Sequence, residues 1–233
     1  IVSGSLEKVN MNLNVFDKCQ NNNLDATSIF ITQTADSISL DILNNTFSNC
    51  PVSRTNTYTL SLTFNRAADG INAILFKDNT ISFDDPYKAA QGMFIRQSNR
   101  EIIIQNCSFK HCFKGGNPYW ASSIIAEEVS NIVVEECKFN DCGINNGGNI
   151  INIYSTVTKG RVENCYFYHT TNENEKCGSG IATYVDNMAI VGNTFIRCAA
   201  DTVRIQGKEQ GDKLELIDNY FTECARGNII GLY

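Results

Sequence analysis

"IIIQNCSFKHC" runs from Ile102 to Cys112, and close variants of it return along the chain. "ILNNTFSNC" ends at Cys50, "VVEECKFNDC" at Cys142, "IVGNTFIRC" at Cys198 and "LIDNYFTEC" at Cys224. A returning phrase is a returning structural unit. Aligned on the aromatic, Phe16, Phe47, Ile81, Phe109, Phe139, Phe167, Phe195 and Phe221 form one column, with 26 to 34 residues between neighbours. Two residues earlier stand only Asn or Cys: Asn14, Asn45, Asn79, Cys107, Cys137, Cys165, Asn193 and Asn219. Three residues later come Cys19, Cys50, Asp84, Cys112, Cys142, Thr170, Cys198 and Cys224. Nine of the ten cysteines therefore fall at two repeat positions.

Ahead of each phrase the apolar residues alternate, as in Leu40/Ile42, Ile74/Phe76, Ile102/Ile104, Ile132/Val134 and Met188/Ile190. That period of two predicts a strand with one buried face. A tight turn at the Asn/Cys position, a very short strand carrying the aromatic, and a loop of variable length follow. A second alternating strand comes next, in "TLSLTF", "GMFIR", "NIINIY" and "TVRIQ". Such a unit cannot bury a face alone, but stacked copies can. The sequence thus predicts an all-β fold: a single-stranded, right-handed parallel β-helix of about eight coils, one domain over 1–233. At roughly 4.8 Å per coil the column is about 38 Å long. Leucine-rich repeats need a shorter period, and a propeller blade needs four strands.

In this fold the phrase is a corner. Its aromatic is expected to stack on those of neighbouring coils. Its Asn is expected to turn inward and bond both unpaired backbone groups and the next Asn. Cys107, Cys137 and Cys165 are expected to interrupt that polar ladder with small side chains that tolerate apolar surroundings.

Phrases such as "NNTFSNC" and "GNTFIRC" resemble the right-handed parallel β-helix repeats of the pectin-lyase-like superfamily, along the whole chain. The FxxC variant is also similar to the FxxN repeats of polymorphic outer-membrane adhesins. The resemblance implies the fold. For activity it implies a choice among lyases, hydrolases, epimerases, adhesins and protein-binding modules. In the related enzymes the substrate groove runs along the sheet after the variable loop, here the second strand of each coil. "TVRIQG" is similar to the Arg-Ile-Lys element of polygalacturonases, with Gln206 in place of the Lys. Their Asn-Thr-Asp, Asp-Asp and Gly-His-Gly elements are missing.

Outward positions of that second strand include Arg96, Glu127, Asn152, Tyr154, Tyr184, Arg204, Gln206 and Tyr233. Aromatic rings beside Arg, Asn and acids suit sugar rings and uronates, which makes Arg96, Glu127, Tyr154, Tyr184 and Arg204 the candidate ligand-binding set. Were the chain catalytic, Asp186 and Asp201 on neighbouring coils, with Arg204, would carry the chemistry. The competing reading of the same side chains is ordinary cross-strand stabilisation. A further outward stripe, Leu75, Ile103 and Val133, lies on three successive coils and would suit a protein partner.

The cysteines after the aromatic stand in adjacent pairs, Cys19/Cys50, Cys112/Cys142 and Cys198/Cys224, within disulfide range of the Cα atoms. Bridges there would place the chain in an oxidising compartment. The three-membered column Cys107/Cys137/Cys165 cannot pair completely, which argues for stacked thiols instead. His111 and His169 lie two coils apart, too far to share a metal. Neither a metal nor a cofactor is expected. Asn44-Asn45-Thr46 and Asn106-Cys107-Ser108 match glycosylation sequons.

A net charge of −6 with no basic stripe argues against nucleic acid, and no apolar run is long enough for a spanning helix. Neither end carries an amphipathic capping helix, so the chain reads as a piece of a longer repeat protein with open β-helix ends. Two function classes stand: a non-catalytic surface or adhesion module recognising glycans or proteins, and a carbohydrate-active enzyme. The first places the chain outside the cell or on its surface. Reduced cysteines would fit an intracellular binding module.

Overall fold

Each corner is made by a single residue in the left-handed region. Leu13, Asn44, Asp78, Asn106, Glu136, Asn164, Gly192 and Asp218 have φ between 50° and 64°, and each directly precedes a ladder position. One such residue between two extended segments turns the chain without breaking its strand pairing. Asn, Asp and Gly tolerate this conformation best, and they fill six of the eight corners. The bend therefore lies one residue before the Asn/Cys position where the sequence pattern set the turn. A second set of bends closes the aromatic strand at Lys18, Asn49, His111, Asp141, Arg197 and Glu223, with φ of 49–57°.

The structure is a computed structural model that describes residues 2–4, 8–19, 26–33, 39–50, 58–64, 73–84, 91–112, 121–142, 149–154, 157–168, 179–185, 187–198, 202–206, 213–224 and 228–232. Cys177, Asp186, Asp201, His169, Thr170 and Tyr233 lie outside these residues. All strand pairs among the described residues are parallel, and they build three faces. Eight short corner strands, from Val15–Asp17 to Tyr220–Thr222, form one sheet. A fifteen-stranded sheet holds the other two faces. The first face leads into the corner, as in Ser39–Leu43 and Asn187–Val191. The second face follows the variable loop, as in Tyr58–Thr63 and Asn149–Ile153. In the middle of the column the two faces share one continuous strand, Gln91–Gln105 and then Ala121–Glu135, bent at Gln97 (φ 60°) and Glu128 (φ 56°). Eight corner strands give the eight stacked coils that the repeat predicts.

The core is a set of ladders. Phe109, Phe139, Phe167 and Phe195 are fully buried and stack with Phe221 at centroid distances of 4.6–5.0 Å. Phe16 stacks on Phe47 at 4.8 Å. Ile81 fills the gap between the two stacks and is also fully buried. Each such ring contributes about 2–3 kcal/mol by leaving water.

The Asn ladder forms as expected. The Asn45 backbone N–H and Nδ2 both donate to Asn79 Oδ1, at 2.8 and 3.0 Å. Asn193 does the same to Asn219 Oδ1, at 3.0 Å in both bonds. The cysteines do not interrupt the ladder, which corrects the expectation from sequence. The Asn79 N–H donates to Cys107 Sγ (3.5 Å), and the Cys107 N–H to Cys137 Sγ (3.4 Å). Their thiols donate in turn to Phe76 O and Ile104 O, both at 3.5 Å. Asn79 Nδ2 reaches the equivalent carbonyl, Ile42 O, at 2.7 Å. A thiol thus fills the amide's place with one weak acceptor and one weak donor.

Cysteines at the second position repeat the arrangement one bend later. Cys142 Sγ donates to Phe109 O and Cys224 Sγ to Phe195 O, each at 3.5 Å, and Cys50 Sγ to Phe16 O at 3.6 Å. All nine described cysteines are free thiols. The bridges Cys19/Cys50, Cys112/Cys142 and Cys198/Cys224 are not formed. In-register sulfurs are occupied by backbone carbonyls of the preceding coil, so their geometry is that of stacked thiols.

Candidate recognition face

The second face turns two columns outward. Register pairs Arg96 with Glu127, and Ile153 with Ala126 and Thr183. The Tyr154 N–H bonds Ala126 O, the Tyr184 N–H bonds Ile153 O and the Gln206 N–H bonds Thr183 O. Arg96, Glu127, Tyr154, Tyr184 and Gln206 therefore stand in one column on five successive coils. The structure brings together four of the five ligand-binding candidates. Arg204 stands in the adjacent column, paired with Ala182 and exposed.

That adjacent column is the surprise. Phe94, Ile125, Asn152 and Ala182 follow one another in register and point away from the core. Yet Ile125 and Ala182 are 0% exposed and Asn152 1%. Asn152 therefore belongs to a covered strip, not to the open groove expected from sequence. Phe94 stacks on buried Tyr58 at 5.0 Å, and these two with Ile125 and Tyr154 make a small apolar cluster separate from the core. Sequence reading missed this cluster, although the alternation in "GMFIR" marks Phe94 as outward. The open column runs along its edge.

Within that column the two phenol rings lie nearly parallel, 9° apart in plane with centroids 6.1 Å apart. Burial first, then the charge of Glu127, pushes the Tyr154 phenol up to about 12, so it stays a hydrogen-bond donor at neutral pH. Glu127 is pushed up by burial and by Glu128, against the pull of Arg96. Arg96 reaches both acids, with Nε 3.7 Å from Glu127 and Nη2 3.4 Å from Glu128. The left-handed bend at Glu128 turns a second carboxylate to the same guanidinium. Three kinds of contact are thus lined up along the axis: a part-exposed cation, a poorly solvated acid and a pair of rings. Asp186 and Asp201 fall outside the described residues, so the acid and base proposed from sequence have no described position here.

The other sequence candidates lie away from this column. His111 sits at a bend, where Nδ1 donates to Phe83 O at 2.7 Å and Nε2 lies 3.8 Å from Asp141. Among the described residues no three His, Cys, Asp or Glu side chains converge as a metal site would require. Leu75, Ile103 and Val133 are in register on the first face, each half-buried, between Asp41 on one side and Arg161 on the other. The sequon residues Asn44 and Asn106 are exposed and bond Asn12 and Asp78 of the preceding coils. No helix among the described residues is long and apolar enough to cross a membrane.

No curated protein matches the chain. Residues 67–232, more than half of the sequence, match the family described as the right-handed β-helix region. With the parallel coils and inward ladders in place, the chain belongs to the right-handed β-helix family.

Proposed function

We propose that this domain is a non-catalytic recognition module of the surface or adhesion type, and that the column Arg96, Glu127, Tyr154 and Tyr184 contacts a glycan, with Arg204 at its edge. The observation that carries the reading is the column itself: four ligand-capable side chains on successive coils, bordered by a covered strip. Two parallel rings one coil apart can flank or carry sugar rings. Arg96 is held by two acids but remains 44% exposed at its side chain, open to a sugar hydroxyl or carboxylate. An extracellular or cell-surface location goes with this proposal. A protein ligand would instead engage Leu75, Ile103 and Val133 or the tips of the column.

One observation favours a carbohydrate-active enzyme as the second reading. Glu127 is a carboxyl raised by burial beside a second carboxylate, the pairing that glycoside hydrolysis uses. In that reading Glu127 donates the proton.

A polysaccharide panel that reads binding and product release together separates the readings. Binding without turnover, weakened about tenfold in Tyr154→Ala/Tyr184→Ala, is the expected result. Release of reducing-end or unsaturated products that vanishes in Glu127→Gln would establish the enzyme. Silence in both readouts would remove the glycan reading.

A further inference from the structure

The corner sheet also turns two columns to solvent, the residue before each aromatic and the residue after it. In coils two to four these are short or cationic: Thr46/Ser48, Thr80/Ser82 and Ser108/Lys110. From coil five they are Lys138/Asn140, Tyr166/Tyr168, Thr194/Ile196 and Tyr220/Thr222. Tyr166 is 36% exposed and Tyr220 61%. The rings of Tyr166 and Tyr168 lie 6.2 Å apart and 27° from parallel.

Folding does not require these rings. Thr46, Thr80, Ser108 and Thr194 hold the same register position with short side chains. Charge on this face is also unusual for the molecule. The chain has 25 acidic and 19 basic residues, yet no Asp or Glu stands in either outward column from Thr46 to Thr222. Lys110 and Lys138 are exposed there on adjacent coils. Arg197, at the neighbouring bend, is already neutralised by Glu223 at 2.6 Å.

The first coil carries Asp17 in this column, but from Thr46 onward a stretch without outward acids, with two lysines running into exposed rings, complements an anionic ligand with flat apolar surfaces. We propose that this end of the corner sheet is a second binding platform, for an anionic polysaccharide. Its sugar rings lie on Tyr166 and Tyr220, and its uronate or sulfate groups meet Lys110 and Lys138. From Lys110 to Tyr220 is four coil steps, roughly 19 Å, so a short oligosaccharide lying along the axis spans the platform. The platform lies on a different sheet from the Tyr154/Tyr184 column and stands independently of it.

The test is binding of dextran sulfate, polygalacturonate and neutral dextran by calorimetry at two salt concentrations. The proteins are wild type, Tyr166→Thr/Tyr220→Thr, Lys110→Ser/Lys138→Thr and, for the other face, Tyr154→Ala/Tyr184→Ala. Threonine and serine occupy the same columns in other coils, and thermal melts confirm that each variant is folded. The expected result is binding of at least one anionic polymer, weakened about tenfold or more by the corner tyrosine pair. The lysine pair should lose a smaller factor and flatten the salt dependence. Preference between dextran sulfate and polygalacturonate then assigns sulfate or uronate. Equal binding of neutral dextran, or unchanged binding in the corner variants, would overturn the proposal. So would loss of binding only in Tyr154→Ala/Tyr184→Ala, or no binding of any polymer.

Discussion

The two ends of the inner ladder and its middle solve one problem with different chemistry. At the ends, Asn45 and Asn79 in one half and Asn193 and Asn219 in the other bond their neighbours at 2.8–3.0 Å. In the middle, sulfur stands in: the Asn79 and Cys107 N–H groups donate to Cys107 Sγ and Cys137 Sγ at 3.5 and 3.4 Å, and the thiols of Cys107, Cys137 and Cys165 donate to backbone carbonyls at 3.2–3.6 Å. Each rung must accept one backbone N–H and cap one carbonyl left over by the bend. An amide does this with strong bonds and a spare donor. A thiol does it weakly but costs little to desolvate. The middle of the column, where every neighbour is present, tolerates the weaker rung.

That contrast predicts unequal costs. Asn79→Ala should lose about 3–5 kcal/mol in chemical denaturation, because it orphans the Asn45 N–H and the carbonyls of Ile42 and Lys77 inside the core. Cys137→Ala should lose only about 1–2 kcal/mol: it leaves a small cavity, the Cys107 N–H and the carbonyls of Ile104 and Glu135, but every bond lost is a weak one to sulfur. Equal losses at the two sites would show that the thiol rung is as strong as the amide rung.

The thiols also divide by position, which gives them opposite pH dependences. Burial raises the buried thiols Cys112 and Cys137 well above the ordinary 9.0. Above pH 9 the unfolded chain releases these protons and the folded chain keeps them, so stability falls as pH rises past 9. Cys224, on the last coil, is lowered to about 6, chiefly by a hydrogen bond from Cys198, then by one from Thr202. Between about pH 6 and 9 the folded chain holds fewer protons there, so this residue adds stability as pH rises and loses it as pH falls through 6. Partial exposure screens the size of the effect. A thiol-reactive dye at pH 7 should show fast labelling at Cys224, absent in Cys224→Ser, and slow labelling at Cys112 and Cys137. Equally slow labelling of all three would refute the division.

The corner was readable from sequence because every coil demands the same few side chains there: an inward Asn or Cys, a ring (Ile81 in one coil), and a small residue. The column Arg96, Glu127, Tyr154 and Tyr184 was readable for a similar reason, since alternation tells inward from outward. The covering of Ile125, Asn152 and Ala182 was not. Burial of an outward residue depends on what packs over it, and no local period encodes that. The bonding role of the cysteines was hidden by their usual behaviour as small apolar side chains. The second bend was hidden because Lys18, Arg197 and Glu223 carry none of the turn preference that Asn and Gly show.

The first bend holds the smallest of these effects and tests whether residue choice there is conformational. Seven non-glycine residues and Gly192 share one left-handed position, and Asn fills it at Asn44, Asn106 and Asn164. Glu136 has the same φ of 55° without a short side chain to favour it. Its side chain is exposed, so a substitution disturbs no core contact. Its backbone N–H bonds Glu163 O at 3.0 Å, and an asparagine keeps that bond. Glu136→Asn should therefore raise stability by about 0.5–1 kcal/mol, read as a higher denaturation midpoint at unchanged slope. Asn44→Glu should lower it by a similar amount, after allowing for the lost bond to Asn12. If the two substitutions move stability in the same direction, the left-handed preference is not what selects residues at this bend, and side-chain contacts between coils are.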